Sequence, residues 1–64
     1  MQYNNNMTTV IIEGPEKAIF AGTWAEKNIK NNWHLDVREP FANRYHFVFS
    51  DSKDATFFSL RWKQ

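Results

Sequence analysis

The chain contains no cysteine, two glycines and two prolines in 64 residues. Without cysteine there is no disulfide to staple a small fold and no thiolate to ligate a metal. The two glycines, Gly14 and Gly22, match neither a phosphate-binding loop nor a dinucleotide fingerprint. Glu13 and Glu16 flank the first of them and would repel an anion. Neither sign of charge dominates. Eight Lys and Arg stand against seven Asp and Glu, for a net charge of +1. That balance excludes a polycationic nucleic-acid binder and an acidic mimic of DNA. No apolar run approaches the 18 residues of a membrane span, and no secretory leader is visible. No cofactor and no membrane contact are therefore expected, and a reducing, cytoplasmic setting fits the missing cysteine.

What the chain has in quantity is aromatic residues. Six phenylalanines, three tryptophans and two tyrosines make up 17% of it. Each large ring buries about 150–250 Å², which compensates for the small buried fraction of so short a chain. The densest aromatic stretch runs from Trp33 to Ser50. Trp33, Leu35 and Val37 alternate with His34, Asp36 and Arg38, and Tyr45, Phe47 and Phe49 alternate with His46, Val48 and Ser50. Period-two alternation marks half-buried strands. Pro40 and Asn43 supply turn residues between them. Both apolar sets share a face only if the paired residue numbers have an even sum. The expected register sets Val37 opposite Phe47, Leu35 opposite Phe49, Arg38 opposite His46, and His34 opposite Ser50. The two histidines then lie about four residues apart along the ladder, roughly 13 Å, too far to share a zinc ion.

The remainder reads in order. Residues 1–8 are polar and Asn-rich and are expected to be flexible, and residues 9–64 form one domain. Thr9–Glu13 is a β-branched run of the kind found in central strands. Gly14 stops it, and Pro15 suits the first position of a helix over Pro15–Asn28. Ala18, Ala21, Gly22, Ala25 and Ile29 make a small-residue stripe on that helix, with Phe20 and Trp24 beside it. Gly22 is explained by close packing of helix on sheet. Over Ala55–Trp62 two periods compete. Helical spacing groups Ala55, Phe58 and Trp62 behind a cap at Ser52, whereas strand spacing aligns Thr56, Phe58, Leu60 and Trp62. The expected fold is α+β: a ferredoxin-like βαββα, or βαβββ, sheet with one or two helices on one face.

Arg44–Ala55 resembles the third strand and second helix of an RNA-recognition motif, with a basic residue, alternating aromatics and a polar run ending in Asp-Ala. The resemblance implies that Tyr45 and Phe47 are platforms on which bases stack. The C-terminal Lys53–Trp62 resembles the ends of small tailed-phage accessory proteins, which implies a host or viral protein as partner and the host cytoplasm as location.

His34, Asp36 and Ser50 share one hairpin face but have no pocket or oxyanion hole around them, so no catalysis is expected. Asp36, Arg38, Arg44 and His46 form a mixed-charge patch. The surplus of rings points to a binding surface. The candidate binding residues are Arg38, Phe41, Arg44, Tyr45, His46 and Trp62. The function expected is a non-enzymatic module that binds and inhibits another protein. A homodimer paired through sheet edges is a further expectation. The alternative is a single-stranded nucleic-acid binder working through an aromatic and basic sheet face.

Overall fold

The structure is a computed structural model and describes residues 7–39 and 42–63. Five elements follow one another: β1 (Thr8–Glu13), α1 (Pro15–Asn28), β2 (Trp33–Glu39), β3 (Arg44–Phe49) and α2 (Ser52–Trp62). The three strands form one sheet in the order β1-β3-β2, with β3 antiparallel to both neighbours. β1 and β2 therefore run parallel to each other with β3 between them, and α1 crosses over β3 to connect them.

Local chemistry sets the ends of the elements. Gly14 has φ 100°, a conformation open to glycine at little cost, and turns the chain from β1 into α1. Pro15 begins α1, and Glu16 lies at the positive end of its dipole. The Ile29 N–H closes the helix by donating to the Ala25 carbonyl at 2.8 Å. Asn43, with φ 56°, makes the left-handed turn before β3. Asp51 caps α2: its side chain accepts from the Lys53 N–H at 2.9 Å. The cap is thus one residue earlier than Ser52, because Ser52 already belongs to the helix.

Both helices lie on the same face of the sheet. Val10 and Ile12 from β1, Phe47 and Phe49 from β3, Ala18, Ala21, Ala25 and Ile29 from α1, and Ala55 and Phe58 from α2 form one buried cluster. Phe58 is its centre, with ring centroids 4.9 Å from both Phe47 and Phe49. The alanine stripe lets these rings sit against the α1 backbone. Trp24 bridges the helices, 5.2 Å from Phe57 and 6.5 Å from Trp62 between ring centroids. Ala55–Trp62 is helical: Ala55 and Phe58 are buried while Phe57 and Leu60 face outward.

Three expectations change. First, β3 is the central strand and β1 an edge. The run Val10-Ile11-Ile12 is apolar on both sides although only Val10 and Ile12 enter the core. Second, from Trp33 to Asp36 the hairpin register keeps the expected even sum but is displaced by two residues, whereas Glu39 opposite Arg44 has an odd sum. Leu35 lies opposite Phe47, Trp33 opposite Phe49, His34 opposite Val48 and Asp36 opposite His46. A register shift between Asp36 and Glu39 absorbs an extra residue, which the alternation of side chains does not reveal. The two histidines are thus two residues apart along the ladder, roughly 7 Å. Third, a methyl placed on Gly22 would stand 3.8 Å from Cε2 of Phe47, an ordinary contact, so close packing does not require glycine there.

Candidate functional site

The hydrogen-bond pattern of the sheet fixes which backbone groups point outward. Gly14 N–H donates to the Asn43 carbonyl at 2.9 Å, so the paired positions between β1 and β3 are those of Ile12 with Tyr45, Val10 with Phe47 and Thr8 with Phe49. Arg44, His46 and Val48 then direct their backbone groups toward β2. The Ser50 N–H donating to the Asn32 carbonyl at 3.1 Å continues the same series. Within β2 it is His34 and Asp36 that bond to β3. The N–H and C=O groups of Trp33 and Leu35 face away from the sheet, with no partner among the described residues.

The other edge is guarded. On β1 the outward groups belong to Thr9, Ile11 and Glu13. α2 packs alongside that strand, and Lys63 Nζ donates to the Ile11 carbonyl at 2.9 Å. A lysine and a covering helix are two of the ways a protein protects a sheet edge.

Beside the open β2 edge lies apolar surface. The helices pack chiefly on β1 and β3, so the helix side of β2 is only partly covered. Leu35 remains 46% exposed although it lies on the core side of the sheet, and Val37, at the register shift, is 43% exposed. Across from them Ile19 of α1 is 66% exposed. Between α1 and β2 runs a trough of about 400 Å³ lined by Ile19, Gly22, Thr23, Trp33 and Leu35. It is continued by a hollow of about 290 Å³ between Pro15, Ile19, Leu35 and Tyr45. An unpaired strand edge next to an apolar trough is the geometry that accepts an added strand. The main chain binds the edge, and alternate side chains enter the trough.

The residues expected to bind are dispersed. Tyr45 reaches the end of the trough, on the helix side of the sheet. Arg38, Arg44 and His46 lie on the opposite, helix-free face. There Arg38 Nε bonds the Asp36 carboxylate at 2.9 Å, Asp36 lies opposite His46, and Arg44 Nε approaches Glu13 at 4.0 Å. The mixed-charge patch is thus assembled, with Asp36 rather than Arg38 opposite His46. Trp62 instead packs edge-on against Trp24, with its Nε1 buried and without a hydrogen-bond partner among the described residues. Phe41 lies outside the described residues. Phe47 is fully buried between Trp33 and Phe58, so it exposes no ring face for a base. His34, Asp36 and Ser50 do not converge. Ser50 Oγ donates to the Asn32 carbonyl at 3.0 Å, and Val48 is the residue opposite His34.

Leu35, Val37 and Ile19 were missing from the expected binding set. Strand alternation assigns Leu35 and Val37 to the core face, and only the lateral placement of the helices leaves them exposed. Ile19 carried a usable signal, since it falls off the alanine stripe of α1. Among the described residues no helix is long and apolar enough to cross a membrane, and no group of three metal-ligating side chains converges. The chain matches no protein-family model, no curated protein and no solved structure.

Proposed function

We propose that the chain is a non-enzymatic protein-interaction module whose working surface is the β2 edge with the trough beside α1. The observation that carries this reading is the pairing of outward backbone groups at Trp33 and Leu35 with exposed apolar side chains at Ile19, Leu35 and Val37. Such surface is stabilised when another chain removes it from water. In this reading the architecture is a ferredoxin-like βαββα. The partner is a host or viral protein whose activity is inhibited by docking, as the resemblance to tailed-phage accessory proteins implies. Nucleic-acid binding is the weaker proposal. Arg38, Arg44 and His46 lie on one sheet face and Tyr45 on the other, so rings and cations do not line a common path.

A library of random peptides panned against the protein tests the proposal. Selected peptides should be extended, carry apolar residues at alternate positions, shift the amide resonances of Trp33–Asp36, and lose binding in Leu35→Lys. Peptides that bind Leu35→Lys equally, or that map to His46 and Arg44, would overturn it.

A further inference from the structure

We infer that the β2 edge is self-complementary and that a second copy of this chain pairs with it, antiparallel about a two-fold axis at Leu35. The inference rests on the reading of that edge as an interaction surface: the second copy holds the edge until a partner protein displaces it.

Before the register shift at Asp36 the outward backbone groups of β2 belong to Trp33 and Leu35, so an added antiparallel strand bonds there. A two-fold axis through Leu35 sets Leu35 opposite the partner's Leu35, where the two residues exchange both hydrogen bonds. On the helix side each Leu35, now 46% exposed, is covered by its counterpart. On the helix-free face His34 lies opposite the partner's Asp36, and by symmetry Asp36 lies opposite the partner's His34. These are non-hydrogen-bonded positions, where the side chains of opposed residues come closest. An imidazole N–H donates to a carboxylate across the join at two places. Arg38, already bonded to Asp36 at 2.9 Å, extends each pair into a row of three.

Neighbouring registers lack this match. A slip of two residues in one direction sets His34 against the partner's His34. The same slip in the other direction sets Asp36 against the partner's Asp36, a like-charge pair that destabilises a ladder. Slips of one residue bring the helix face of one copy against the open face of the other. The shift after Asp36 limits the regular ladder to the segment this register uses. Two sheets of three strands then join into one of six, with the exposed edge strands being the two copies of β1, each guarded by Lys63 and α2.

The test is sedimentation equilibrium on the full chain from micromolar to millimolar concentration, with three variants. The unaltered chain should dimerise. Leu35→Pro removes the outward N–H at a position where an edge strand tolerates proline, and should be a folded monomer. His34→Asp sets acid against acid twice and should weaken the dimer about tenfold. Adding Asp36→His should restore at least half of that loss, which keeps the test valid even if Leu35→Pro fails to fold. A chain that stays monomeric at millimolar concentration overturns the inference. If that monomer still binds selected peptides at β2, the interaction surface itself survives. A dimer equally tight in His34→Asp, with no recovery in the double variant, places the axis elsewhere and overturns the inference.

Discussion

Gly14 and Asn43, the two described residues with positive φ, are bonded to each other: the Gly14 N–H donates to the Asn43 carbonyl at 2.9 Å. The bond joins the β1–α1 turn to the approach to β3, so two left-handed turns at one end of the sheet hold each other in place. Apart from its chain neighbours, nothing among the described residues lies within 4 Å of where a Gly14 side chain would begin, so backbone strain is the main penalty for adding one. Gly14→Ala should therefore destabilise the fold by about 1–2 kcal/mol. Asn43→Gly should be nearly neutral, and Asn43→Val should cost at least as much as Gly14→Ala. Urea midpoints of the three variants check this, and a neutral Gly14→Ala would refute it.

Gly22 makes the opposite case. It lies in the interior of α1, where glycine is about 0.5–1 kcal/mol worse than alanine. A methyl there meets Cε2 of Phe47 at 3.8 Å without crowding. Gly22→Ala should stabilise the protein by about 0.4–1 kcal/mol and raise the melting temperature by several degrees. Calorimetry decides it, and a fall in melting temperature would show that the trough wall beside Trp33 needs the missing side chain.

The contrast between these two glycines shows where the sequence was legible. Gly14 followed by Pro15 announces a strand stop and a helix start, and both ends of α1 follow from local chemistry. The alanine stripe foretells the face α1 buries. Which strand is central does not follow from local pattern, because β1 is β-branched on both sides and reads as buried although it lies at an edge. The register of β2 on β3 was legible in parity, since one-residue slips expose the core. Two-residue slips preserve parity, and the extra residue after Asp36 has no local signature. α2 was ambiguous because Phe57 and Leu60 spoil its stripe, and both prove to be outward-facing. The open side of β2 depends on where the helices settle laterally, so Leu35 and Val37 could not be told from core residues.

Trp62 carries a buried indole N–H without a partner among the described residues, while its ring packs against Trp24. A buried unsatisfied donor costs about 1–3 kcal/mol, whereas the area lost from Trp to Phe is worth about 1–2 kcal/mol. Trp62→Phe should therefore stay within about 1 kcal/mol of the unaltered chain, and Trp62→Ala should lose about 2–3 kcal/mol. Denaturation of both variants tests the balance. A Phe variant as damaged as the Ala variant would mean that the indole ring, not merely an aromatic, is required against Trp24 and against the Arg61 guanidinium 5.5 Å from its centre.

Asp51 accepts from the Lys53 N–H at 2.9 Å, and Asn31 Nδ2 donates to Asp51 at 3.3 Å and to Asp54 at 3.0 Å. One neutral amide thus ties the loop before β2 to two carboxylates at the positive end of the helix. Asp51→Ala removes the cap and should cost about 1 kcal/mol, whereas Asp51→Asn keeps a capping oxygen and should cost only a few tenths. Asn31→Ala should cost about 0.5–1 kcal/mol, because its bonds are exposed and partly replaced by water. The Asn31→Ala, Asp51→Ala pair should be less damaging than the two single losses together, since the bond between them is counted in both. A double-mutant cycle from urea denaturation measures this coupling. Strict additivity would mean that the amide acts through Asp54 alone and that Asp51 serves only its own helix.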